Sequence, residues 1–312
     1  MKNILKLVGI GLLAWILSTI DLREAWLVLL GLHPGWLAAY ALAFTSLVLT
    51  RVARLGVCLR RMGRCLPFAE RYIATLEPAL LGTVTPGRLG EFARAGYLAG
   101  RGIPLAEALM LCLLERLVDF GVLCVLGLAG CAYIFGPAGT RRPLAFAILL
   151  VLPVACLAVS LGFGKRLLSG GLSRAAMRFL PARFLAHGIA LAESFQRIFQ
   201  QTLGVHLLFS CAGLSLCLLQ IFCLAEAFSL VADRFVVLFS YAASTLISLL
   251  PISFAGLGTR DATYIYIMCR EGILREQALL FSLLDGVVVP VCGLVLLLLP
   301  CYAARMLRAQ RP

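Results

Sequence analysis

The chain has 312 residues, 62% of them hydrophobic and only 14% charged, with a formal net charge of +13 at pH 7. A soluble domain is nearer half apolar and a quarter charged, so this composition excludes an ordinary soluble enzyme and points to an integral membrane protein. In so apolar a chain the positive excess reports topology and attraction to anionic headgroups before it reports nucleic-acid binding.

Apolar segments fall at about 4–20, 36–50, 72–86, 105–134, 143–163, 203–231, 236–254 and 278–300. The run Leu203 to Val231 is long enough to cross a hydrocarbon core of roughly 30 Å. The first segment, with Lys2 and Lys6 ahead of it, has the outline of a signal peptide. No small-x-small cleavage site follows, and Asp21-Leu22-Arg23-Glu24 come next, so a retained helix is expected. The twelve cysteines are scattered through apolar segments without a CxxC pair, as small core hydrophobes are. His33, His187 and His206 are isolated, none at metal-ligand spacing, and no metal or cofactor is expected.

Basic residues cluster at 51–71 (Arg51, Arg54, Arg60, Arg61, Arg64, Arg71), at 164–200 and at the C-terminus. If all eight segments cross, the first two clusters fall on opposite faces. If 72–86 and 236–254 each enter and leave on one face, twenty of the 28 basic residues lie in the cytoplasm, as the positive-inside rule wants. Arg141 and Arg142 dissent. The expected fold is therefore an all-α polytopic membrane protein of about six full transmembrane helices plus two re-entrant broken segments. Both termini are cytoplasmic in that arrangement. Within 164–200, Phe184, Leu191, Phe195 and Ile198 share a helical stripe that suits a cytoplasmic interfacial segment. Arg54, at the end of the second helix, is explained by snorkelling.

Two stretches look like copies. LLGTVTPGRLGEFARAG is followed by ALMLCLLERLVDFGVL, and LLPISFAGLGTRDATYI by ALLFSLLDGVVVPVCGL. The Gly motif and the acid sit at similar separations, 25 residues from Gly90 to Glu115 and 27 from Gly258 to Asp285. The copies, about 72–134 and 236–300, are separated by three crossings and would be inverted, a recurrent transporter design. Pro86, Gly87, Gly90, Gly256 and Gly258 are the backbone elements of the motif. Free N–H groups around Gly87 and Gly90, with Arg88, would suit a phosphate oxygen. A helix starting near Leu89 would pair Glu91 with Arg94. Glu115, Arg116 and Asp119 lie inside an apolar segment, where ionisable groups face a cavity or a partner. Asp285, Arg260 and Asp261 are their candidates in the second copy. A buried Arg–Asp lock explains the first group equally simply. Gly96 and Gly100 form a GxxxG outside any long apolar helix, which says little about dimerisation.

Taken together, PGRLGE with a following Arg94, the Glu115-Arg116-x-x-Asp119 helix and the late Pro251-x-Ser253-x-x-Gly256-x-Gly258-x-Arg260-Asp261 motif resemble the lysylphosphatidylglycerol synthase transmembrane-domain family, also called the flippase-like domain family. The resemblance spans roughly residues 5 to 300. Where members often carry Arg near position 286, this chain has Gly286. The resemblance implies a lipid-handling protein of the bacterial inner membrane. Its best-known members move aminoacylated phospholipids between leaflets, and others are associated with lipid-linked sugars or hopanoids. Those best-known members add a soluble transferase domain. With the sequence ending at Pro312, lysyltransferase chemistry is not expected.

The leading expectation is a flippase-like protein handling an anionic or aminoacylated phospholipid or a lipid-linked sugar. Its substrate-binding set is Arg88, Glu91, Arg94, Glu115, Arg116, Asp119, Ser253, Arg260, Asp261 and Asp285, with no catalytic residue. Its partners are membrane lipids, not nucleic acid. The alternatives are a non-transporting subunit that anchors or regulates a lipid- or glycan-modifying enzyme through 164–200, and an intramembrane enzyme using Glu115 and Asp119 as acid and base.

Overall fold

The computed structural model describes residues 22–135, 182–248 and 256–309. The expected segments 4–20 and 143–163, Arg141 and Arg142, the basic residues from 164 to 181, and Pro251 and Ser253 of the second motif lie outside those residues.

Among the described residues all regular structure is helical. We number the helices α1 (Leu22–Leu30), α2 (Pro34–Arg61), α3 (Phe68–Val84), α4 (Ala93–Ala99), α5 (Leu105–Phe135), α6 (Ala182–Ala227), α7 (Arg234–Ser248), α8 (Thr259–Cys269), α9 (Arg275–Leu283) and α10 (Val289–Ala309). A 3₁₀ segment, Pro86–Phe92, links α3 to α4, and a π turn, Leu284–Val288, joins α9 to α10. Three described spans are long and apolar enough to cross a membrane: Pro34–Arg61, Arg197–Ala227 and Arg275–Tyr302. The stretch from Ala182 to 200 continues into the second of these as one helix. On it, Ile198 is buried, whereas the side chains of Phe184, Leu191 and Phe195 are not described.

Helices α3 and α7 are different. The 17 residues of α3 reach only about 26 Å at 1.5 Å per residue, and the 15 described residues of α7 cover about 23 Å. For α3, whose two ends are both described, that is short of a hydrocarbon core of roughly 30 Å. Pro78 lies inside α3, removing one intrahelical bond.

Helix α2 is the axis of the molecule, packed along α6 and touching α3 and α10. Residues 40, 44, 47, 51, 54 and 58 recur at alternating steps of four and three, so they form one stripe. The apolar members of that stripe enter three of the cores: Tyr40 packs with Ile221, Tyr264 and Phe281, Phe44 with Leu76 and Leu294, and Cys58 with Leu98, Leu111 and Leu114. On α6 the residues 206, 210, 213, 217 and 220 make the same pattern, and Leu47 touches Gly213. Large apolar side chains such as Leu42, Leu49, Leu208, Leu219 and Leu296 stay exposed, as expected of surfaces that meet lipid.

Candidate functional site

Two clusters of polar side chains are buried along the α2 stripe, roughly 21 Å apart if measured from Arg54 to Tyr40 along the helix axis. Around Arg54, three guanidinium groups meet three carboxylates. Arg54 is 3% exposed and ion-pairs with Glu115 and, at 2.7 Å, with Asp119. Arg94 reaches Glu115 at 2.5 Å, and Arg116 reaches Glu91 at 2.6 Å. Arg116 also lies 3.8 Å from Asp119, the expected i, i+3 partner. Ser210 Oγ donates to Asp119 at 2.5 Å and accepts from Arg54 at 3.1 Å. Burying an ion costs several kcal/mol unless the geometry of its partners is good. Here each charge has a partner and the six sum to zero.

The turn that delivers Glu91 and Arg94 depends on close backbone packing. A Cβ on Gly90 would stand 2.5 Å from the Leu81 carbonyl, so the 3₁₀ segment lies directly on the end of α3. Gly82 leaves room for the Glu91 side chain, whose Cγ would be 2.6 Å from an added Cβ. Glu91 therefore passes over Gly82 of α3 to reach Arg116, while Arg94 reaches Glu115, so the two pair with neighbouring residues of α5. This differs from the expected Glu91–Arg94 pair, because residues 86–92 form a 3₁₀ turn in place of the first turn of an α-helix. The turn's N–H groups are also taken: Gly90 donates to Thr85 Oγ1 at 2.7 Å, and Arg88 to the Thr85 carbonyl at 3.2 Å. Those two groups do not hold a phosphate. Snorkelling does not describe Arg54 either, since its head is buried in the ion-pair network.

The second cluster surrounds Asp285 on the π turn, a local geometry often found at functional sites. Arg260 ion-pairs with Asp285, Tyr40 donates to it at 3.1 Å, and Tyr264 at 3.3 Å. Gly286 makes this possible, because a Cβ there would be 2.6 Å from Arg260 Nη1. Asp261 does something else. It accepts from the Gly258 N–H at 2.8 Å and from Ser282 Oγ at 2.6 Å, capping α8 and tying it to α9. The positive φ of Gly256 and Gly258, 81° and 83°, fits their place at that turn.

Between the clusters lies a cavity of about 370 Å³, continuous in its lining with a smaller one of about 100 Å³. Leu47, Arg51, Arg88, Cys217, Tyr241 and Thr245 line both. The larger one has an apolar wall that includes Phe92, Leu117, Phe120 and Phe209. Neither Arg51 nor Arg88 makes an ion pair with a described carboxylate. Arg88 is held at φ 56°, a left-handed conformation uncommon outside glycine. Gln220 Nε2 and Thr245 Oγ1, on side chains 5% and 8% exposed, have no hydrogen-bond partner.

A family model described as the lysylphosphatidylglycerol synthase TM region matches residues 4–301. The chain belongs to that family. Comparisons with curated proteins and with solved structures returned no match. Membership in a family of membrane regions agrees with the three apolar spans and makes this a membrane protein.

Of the residues expected at a site in this membrane region, Arg88, Glu91, Arg116, Asp119, Arg260 and Asp285 line the two cavities. Arg94 and Glu115 stand behind them as a buried pair, and line only a minor pocket of about 10 Å³ with Glu91 and Arg116. Asp261 is a cap, and Ser253 lies outside the described residues. Tyr40, Arg51, Arg54, Ser210, Gln220 and Tyr264 were not among the expected site residues. The four-and-three spacing from Tyr40 to Cys58 is the signal that places Arg51 and Arg54 on the buried stripe of α2.

Proposed function

We propose that the chain is a flippase-like protein of the bacterial inner membrane that carries a phospholipid or lipid-linked headgroup through the cavity between α2, α5, α6 and α7. One observation carries this reading: within an apolar membrane domain, a cavity with an apolar wall contains two guanidinium groups without carboxylate partners among the described residues, Arg51 and Arg88. Arginine suits phosphate oxygens through charge-assisted, bidentate hydrogen bonds. The apolar wall suits acyl chains.

The topology that fits is six crossings and two re-entrant segments, with both termini cytoplasmic. The shortness of α3 supports it. So does a parallel between the two halves: in each, an Arg following the Gly motif pairs with an acid on the next long helical stretch, Arg94 with Glu115 and Arg260 with Asp285. Halves related by inversion would rock around a fixed midplane site and expose it to each face in turn. The glycine contacts at Gly82 and Gly90 would supply one such hinge.

The test is headgroup translocation by purified protein in liposomes, using phosphatidylglycerol, aminoacyl-phosphatidylglycerol and a polyprenyl-phosphate sugar, with Glu91→Gln as the altered protein. Movement of one lipid class, lost in the variant at equal protein level, is the expected result. Absence of movement for every lipid by well-folded protein rejects transport and favours a subunit that serves a lipid- or glycan-modifying enzyme.

A further inference from the structure

The charges that line the two cavities do not cancel. Five arginines (Arg51, Arg54, Arg88, Arg116 and Arg260) face them, against three carboxylates, Glu91, Asp119 and Asp285. Every one of those carboxylates already has an arginine: Glu91 has Arg116, Asp119 has Arg54, and Asp285 has Arg260. The pair behind them, Arg94 and Glu115, is neutral. What remains is two positive charges, Arg51 one helical turn from Arg54 on α2, and Arg88 on the strained turn after α3. Both line the larger and the smaller cavity, so they stand where the two meet.

An ammonium group entering this space would meet two like charges, and each described carboxylate there is already ion-paired with an arginine, although Glu91 Oε2 accepts no hydrogen bond. A phosphate would find two guanidinium groups, the Thr245 hydroxyl and the Gln220 amide, and Thr245 Oγ1 and Gln220 Nε2 have no hydrogen-bond partner among the described residues. Buried polar groups without partners are rare, and they are the groups a ligand satisfies. Like charges held together in a low-dielectric site repel strongly until a counter-anion arrives. The backbone strain at Arg88 is consistent with a side chain held where that anion requires it.

We infer that Arg51 and Arg88 form an anion site for a phosphate-bearing lipid headgroup without an ammonium group, with a preference for two negative charges, as on a phosphate monoester or a diphosphate. The site selects against aminoacylated headgroups. This rests on the lipid-handling reading for its source of phosphate, and it narrows that reading from several headgroups to one chemical class.

The test is calorimetric titration of the full chain in phosphatidylcholine nanodiscs with short-chain phosphatidic acid, phosphatidylglycerol, lysyl-phosphatidylglycerol and inorganic phosphate. The expected order of affinity is phosphatidic acid, then phosphatidylglycerol, then lysyl-phosphatidylglycerol. Arg51→Gln and Arg88→Gln should each weaken phosphatidic acid by roughly tenfold to a hundredfold. Their melting temperatures should stay close to that of the unaltered protein, because neither arginine has a carboxylate to orphan. Lysyl-phosphatidylglycerol binding as tightly as phosphatidylglycerol overturns the inference, as does unchanged affinity in both variants. Inorganic phosphate binding as tightly as phosphatidic acid makes this a free-phosphate site and overturns the lipid source. The expected order without translocation in liposomes keeps the anion site and rejects transport. Translocation indifferent to both substitutions does the reverse.

Discussion

Glu115→Gln should be more damaging than removal of a neighbouring positive charge, and the reason is an asymmetry of partners. Arg94 is 4% exposed, and among the described residues Glu115 is the only carboxylate it reaches. Arg54 also touches Glu115 but keeps Asp119. Neutralising Glu115 therefore leaves Arg94 as an unpaired buried cation, a change that costs about 3–5 kcal/mol. Arg94→Met leaves Glu115 paired with Arg54 and should cost about 1–3 kcal/mol, the worth of a charged hydrogen bond. In the double variant the orphaned cation is gone. Its loss should be smaller than that of Glu115→Gln alone, giving a coupling of roughly 2 kcal/mol, within the range found for neighbouring residues. The assay is thermal unfolding of the purified proteins in one detergent, where the Glu115→Gln loss corresponds to a fall of roughly 6–20 °C at about 2–4 °C per kcal/mol. If the double variant loses the sum of the two singles, the orphaned-charge argument is refuted.

Gly90→Ala should destabilise by about 1–3 kcal/mol or more, since its Cβ would meet backbone atoms of α3 that cannot move aside cheaply. Gly96→Ala, with nothing within 4 Å of its Cβ, should raise the melting temperature through helix propensity alone; equal effects at the two glycines would contradict the close approach of the turn to α3. With six crossings and two re-entrant segments, exposed Cys65 and Cys269 in single-cysteine proteins should report opposite faces. A membrane-impermeant maleimide should label Cys269 in spheroplasts and Cys65 only after the membrane is opened, and labelling of both from one side would reject six crossings with two re-entrant segments. Arg51→Gln should leave the melting temperature within a degree or two of the unaltered protein, and a large fall would reassign Arg51 from ligand binding to structure.

The membrane class, the helical fold and the Gly motifs were legible in the sequence because hydropathy and glycine spacing are local properties. The charges inside 105–134 also stood out, since ionisable groups are expensive there. Which charge meets which was not legible. Glu91 and Arg94 are three residues apart on paper, but across a 3₁₀ turn packed on α3 through Gly90 they pair not with each other but with Arg116 and Glu115 of α5. Arg54 lies 61 residues from Glu115, and nothing local distinguishes a buried end of α2 from a snorkelling one. In the sequence Arg51 belongs to a topological charge cluster, and only the fold, with the turn packed on α3 and α3 packed beside α2, brings it and Arg88 to the same cavities. Asp261 illustrates the opposite error: a conspicuous acid beside a Gly motif that caps a helix. Gly286, where the resemblance implied that an arginine is common, makes room for Arg260 against Asp285.

The measurement closest to the central claim is leaflet-resolved translocation of phosphatidylglycerol in liposomes by the unaltered protein and by the Arg51→Gln/Arg88→Gln double variant, matched for protein content and melting temperature. The account predicts translocation by the first and a loss of at least tenfold in the second, with lysyl-phosphatidylglycerol moved more slowly than phosphatidylglycerol by the unaltered protein. Equal rates for the two proteins would show that headgroups do not pass the paired arginines, and would contradict the account at its centre.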